Sequence, residues 1–248
     1  MREMGMSLWI AWKELRGYFV TPVALVFLVA FGCLSVLSTF LWGDFFLLRE
    51  ASLRSYFYWL PFLWVMFVPA VGMRFWCEER RQQTLELLLT MPVRLWEVVL
   101  GKYLAGLACL GLGLAMSLPL AVTVCALGEP DLGVMACGYV GGLLLGGALL
   151  AICSLLSALT SSQVVGYVSG AVVCLLLVVG GHQSSMQFMR QWLGEWLGGL
   201  MGWLSMTRRL ETFQSGVLDV GDSCYLLSLV VFFLQVTAAA LDRRRERR

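Results

Sequence analysis

The stretch EERRQQTLELLLTMPVRLWEVVLGK, residues 78–102, sets a leucine-rich centre, Leu85 to Leu89, inside a dense group of charges. Long apolar runs lie on both sides, 56–77 before it and 98–127 after it. A segment this charged cannot enter hydrocarbon, whereas each flanking run is long enough to cross about 30 Å of it as a helix. The stretch therefore reads as a connection between two membrane helices, and the fold as all-α.

The rest of the chain agrees. Of its 248 residues 59% are hydrophobic and 14% charged, with a mean hydropathy of +0.80, too little polar surface to coat a soluble globule of this length. Six apolar stretches emerge, 22–42, 56–77, 98–127, 132–159, 164–180 and 224–241, in a single membrane domain covering 1–248. They are continuous, where strands of a membrane barrel would alternate.

The net charge of +2 says little, but its placement sets an orientation. With six spans and the N-terminus inside, thirteen of the 18 basic residues fall on the cytoplasmic side, including Arg74, Arg80, Arg81, Lys102 and the arginines of the 242–248 tail. Arg49, Arg54, Arg190, Arg208 and Arg209 fall outside. The positive-inside rule then predicts both termini in the cytoplasm. Most of the eight cysteines lie within apolar spans and read as small hydrophobes, without disulfide or metal. The single histidine, His182, lies too far from Ser169 for a protease dyad on one helix. Few ionisable groups at membrane depth weigh against a proton-coupled carrier.

Ahead of the first span, residues 6–20 place Leu8, Trp12, Leu15 and Phe19 on one helical face, with Lys13, Glu14 and Arg16 opposite. That pattern predicts an amphipathic helix in the inner interface, either a plain anchor or something more. Within 78–96, Leu85, Leu88 and Leu89 share a face beside Glu78, Glu79, Arg80, Arg81 and Glu86, and Thr90-Met91-Pro92 breaks the helix. Leucines offered to water need a cover, which lipid headgroups or a groove on a protein could supply. The mixture of acids and bases at the rim favours the protein, since a lipid-binding rim would be basic throughout.

EERRQQTLELLLTMPVRLWEVVLGKYLAG closely resembles the cytoplasmic loop of type-2 permeases of ATP-binding-cassette (ABC) transporters, especially the gliding-motility and copper-enzyme-maturation branch. WKELRGYFVTPVAL is similar to that family's first helix, and with the GVLDVGD stretch the likeness spans nearly the whole chain. The resemblance implies that Glu78, Glu79, Arg80, Arg81, Thr84, Leu85, Glu86, Leu88, Leu89 and Pro92 form a coupling segment seated on a cytoplasmic ATPase subunit. ATP and Mg would bind that partner, since this chain has no G-x-x-x-x-G-K-[ST] run and binds no cofactor directly. A second permease chain, alike or different, would complete the transporter in a bacterial inner membrane. Gln83 stands where the family usually has glycine, a departure expected to alter the turn without abolishing docking.

Gly138, Gly142 and Gly146 make a small-residue stripe, suited to close packing within the chain or to a seam between copies, the former being favoured. The outer segment, 181–223, is rich in tryptophan and leucine and predicts short interfacial or re-entrant helices, which an outer-side accessory protein could also touch. Membrane lipid is an expected partner and nucleic acid is not. Two functions follow: a noncatalytic permease for export or force transmission, and, as the alternative, a membrane scaffold of a motility or assembly complex. The apolar spans leave the substrate open.

Overall fold

A computed structural model describes residues 2–20, 22–42, 52–81, 83, 95–128, 130–181 and 205–246. Among these the chain is helical, without a strand. Helix α1 covers Arg2–Val20 and α2 covers Pro22–Leu37, continuing as a π-helical turn over Ser38–Trp42. Then come α3 (Arg54–Gly72), α4 (Arg74–Arg81), α5 (Leu95–Met116), α6 (Leu118–Leu127), α7 (Leu132–Leu159), α8 (Gln163–Gly180), α9 (Met206–Gln214) and α10 (Val220–Glu246).

Among the described residues, five helical stretches are long and apolar enough to cross a bilayer: α3 with α4, α5 with α6, α7, α8 and α10. The first apolar stretch contributes a shorter helix, Leu25–Leu41, beneath that length. Its far end widens where the hydroxyls of Ser38 and Thr39 both donate to the Ser35 carbonyl, at 2.9 and 2.8 Å. Hydroxyls that compete for helix carbonyls favour such a change of pitch.

Proline marks both interruptions inside the long stretches. Pro69 lies four residues before the break at Met73 between α3 and α4, where the Met73 amide still donates to the Pro69 carbonyl at 2.9 Å. Pro119 occupies the first turn of α6, just after the break at Ser117. These two stretches are thus jointed rods. By contrast α7 is unbroken; the Asp131 carboxylate accepts from the Gly133 and Val134 amides to cap its start.

Helix α7 is the hub, the most buried of the candidate spans. Its glycines are notches: a Cβ on Gly138 would lie 2.5 Å from the Phe57 ring, on Gly142 2.5 Å from Leu60, and on Gly146 3.0 Å from Trp64. The three partners come from one face of α3, so the stripe receives a neighbour within the same chain. Gly141 makes room in the same way for Phe213 of α9. The Trp64 indole N–H donates to the Gly142 carbonyl at 2.9 Å, and Phe31 of α2 stacks on Trp64 with centroids 5.1 Å apart.

Helix α9, in the second half of the 181–223 segment, is knitted in. Thr207 donates to the Val178 carbonyl, Ser205 to that of Gly181 and Gln214 to that of Phe57. Arg209 pairs with Asp222 at 2.6 Å and lies over Tyr225 of α10. The Phe188-to-Leu204 part of that segment lies outside the described residues, as does most of the 82–94 stretch.

Candidate functional site

Three helices that are distant in sequence meet at the end of α4. Lys102, in the second turn of α5, is 3% exposed although it sits in an apolar helix. A buried ammonium demands compensating charge. It finds two carboxylates: Glu79 Oε1 of α4 at 2.8 Å and Glu14 Oε1 of α1 at 3.1 Å. The Trp76 ring lies 5.5 Å from the same Nζ, a cation–π contact that adds to the pairing.

A second ionic contact lies beside the first. Arg74 bridges to Glu78 one turn on at 3.4 Å and lies over the Tyr18 ring at 5.7 Å. Burial, with the Glu14 carboxylate next, holds the Tyr18 phenol above its ordinary pKa, so it stays neutral. Arg80 reaches the other way and donates to the carbonyls of Ala158 and Thr160. These are among the carbonyls left open where α7 ends, and a guanidinium is well suited to them.

Serines complete the seam between α4 and α7. Ser157 Oγ accepts from the Trp76 amide at 3.2 Å and donates to the Met73 carbonyl at 3.1 Å, which ties down the joint between α3 and α4. Trp76 Nε1 is 3.4 Å from Ser154 Oγ. Gly72 permits the approach, since a Cβ there would lie 2.6 Å from that of Cys153. Helix α4 is therefore held to the hub helix on one side and to α1 and α5 on the other.

The charges expected to form an open rim divide differently. Glu78, Glu79 and Arg80 are each engaged within the chain, and only Arg81 of the four is exposed. Thr84, Leu85, Glu86, Leu88, Leu89 and Pro92 lie outside the described residues. Gln83 does not, and its φ of +57° is left-handed, the conformation glycine adopts without strain. The turn after α4 thus has the backbone that the glycine of the resembled pattern would suit.

Helix α1 also differs from its expected faces. Glu14 turns inward with Tyr18, while Leu8 and Trp12, each 58% exposed, stand outward beside Lys13 and Arg16. The ion pair to Lys102 overrides the simple rule that carboxylates face away from the apolar side. Leu15 is half-buried, and Phe19 lies in the last turn of α1. Sequence reasoning missed Lys102 as the centre of the site. Its signal was an ammonium one turn into an apolar helix, which obliges the fold to supply carboxylates.

The site holds and orients helices; among the described residues no group of His, Cys, Asp and Glu is arranged to hold a metal ion. The described residues thus form an all-helical, multi-pass membrane protein with an ion-paired junction beside a charged connection. The model of the ABC-2 family transporter proteins matches residues 46–198, more than half of the chain, and the chain belongs to that family. No curated protein matches it. It is a permease-type membrane subunit of an ABC transporter.

Proposed function

We propose that this chain takes the stroke of a separate cytoplasmic ATPase at residues 78–94 and passes it through the Lys102 junction to the spans. ATP and Mg bind the ATPase, and this subunit carries out export or transmits force. The observation that carries the reading is the convergence of Glu14, Glu79 and Lys102. It ties α4, which leads into the charged connection, to α1 and α5, so that α4 cannot shift without them. A packed, ion-paired joint of this kind moves as a rigid body.

In this reading six spans cross the bacterial inner membrane, with α2 and its π turn as the first and both termini in the cytoplasm. The basic residues near α1, α4 and the tail support that orientation. A second permease chain completes the pathway. Helix α9 belongs to the outer side and anchors the outer segment on α7 and α10.

The test is copurification of the tagged protein from native membranes in mild detergent. A stoichiometric subunit with a phosphate-binding loop, lost when Leu88 and Leu89 become aspartate, is the expected result. A folded protein that brings down no ATPase, with or without crosslinking, would transfer the assignment to a membrane scaffold.

A further inference from the structure

The outward side of α1 has a composition that the transport reading does not use. Leu8, Trp9 and Trp12 are 58%, 64% and 58% exposed, and Lys13 and Arg16 are exposed with them. At 100° per residue these five fall within roughly 140° of arc. The Arg16 guanidinium lies 5.4 Å from the Trp12 ring, which holds it on that side. Glu14, the acid between the two cations in sequence, is drawn inward to Lys102. Among the described side chains of α1, the outward face therefore carries two positive charges, two indoles and no carboxylate.

We propose that this face docks onto the surface of a bilayer containing anionic phospholipid. Indoles favour the headgroup region, where an apolar body and a polar N–H are both accommodated. Lys13 and Arg16 supply the charge complementarity to anionic headgroups. Position argues for the same occupant, because α1 leads within two residues into the apolar α2 and so lies where a chain enters the membrane. The inference rests on the permease reading only for placing α1 at the cytoplasmic leaflet. Through Glu14 and Lys102, lipid held on the outer side of α1 would bear on α4, giving the transporter a dependence on anionic lipid.

The purified full-length chain in neutral detergent provides the test, with thermal unfolding followed as phosphatidylglycerol or phosphatidylcholine is titrated in. A ligand that binds the folded state raises its melting temperature. Phosphatidylglycerol should stabilise at lower concentration than phosphatidylcholine. In the K13Q/R16Q variant its half-effective concentration should rise about tenfold, each cation near an anionic surface counting for severalfold. The tail arginines, unchanged in that variant, set the residual response. Equal effects of the two lipids, or an unchanged response in K13Q/R16Q, would overturn the proposal. So would loss of a copurifying ATPase in K13Q/R16Q with the lipid response intact, since the face would then belong to that protein. No ATPase is needed for the lipid titration, so failure of the permease reading and failure of this one are separately visible.

Discussion

Lys102 is stable in its apolar surroundings because Glu14 and Glu79 reach it from two other helices. Removing the ammonium leaves two carboxylates facing each other with their shared partner gone. Lys102→Met should therefore lower stability by about 3 kcal/mol, the scale for breaking a buried pair by deleting one member. Thermal unfolding in detergent measures it, and the double variant Glu79→Gln/Lys102→Met should recover part of the loss. Glu79→Lys, which brings a second cation to the same place, should be poorly folded, so it cannot serve as a clean uncoupling variant. Gln83 offers the opposite sign. Its φ of +57° costs a side-chain-bearing residue about 1 kcal/mol that glycine avoids, and Gln83→Gly should raise the melting temperature. A fall would mean that the Gln83 side chain contributes more than its backbone costs. The charges of this site were legible as residues, but their pairing was not: Glu14 and Lys102 lie far apart in the chain, and helical periodicity alone directs Glu14 outward.

At the scale of the helix, the described packing of α7 is decided by where a methyl group fits. A Cβ on Gly138 would lie 2.5 Å from the flat, rigid Phe57 ring, whereas one on Gly111 of α5 would meet nothing within 4 Å. Gly138→Ala should cost about 1–3 kcal/mol by overpacking, while Gly111→Ala should gain up to about 1 kcal/mol from helix propensity. Opposite shifts in melting temperature of the two variants, in one detergent, are the expected outcome. Equal shifts would mean that α3 can back away from α7 without loss. Part of this level was legible: the 132–159 stretch has the bounds of α7, whereas the Asp131 cap and the breaks near Met73 and Ser117 come from the structure. Pro61 lies within α3 without ending it. Which glycine receives which ring was not legible, because that depends on how two helices are rotated about their axes. The 22–42 stretch is helical over the bounds the sequence suggests, Pro22–Trp42, but its change of pitch was not legible, since hydropathy counts apolar residues and does not register the hydroxyl bonds after Leu37.

For the whole molecule, the proposed function assigns receiving a partner and passing on its motion to different residues. The leucines at 85, 88 and 89 are the residues expected to be covered by an ATPase, whereas Glu79 is 16% exposed at its side chain and turned toward Lys102. Variants at the two places should fail differently. Leu88→Asp/Leu89→Asp puts charge where apolar burial is expected and should abolish copurification of the ATPase. Glu79→Gln keeps the shape and a hydrogen-bonding oxygen but removes one of the two charges holding α4 to α5, and Glu14 remains to satisfy the ammonium. That variant should still fold and bind the ATPase, with hydrolysis in reconstituted membranes retained and the work done per ATP, transport or force, reduced severalfold. The contrast depends on α1, α4 and α5 moving as one body. If Glu79→Gln instead released the ATPase, the junction would be part of the docking surface itself. If it changed neither binding nor work per ATP, the stroke would have to travel along α4 and α7 through Arg80, Ser154 and Ser157, the other set of bonds that anchors α4.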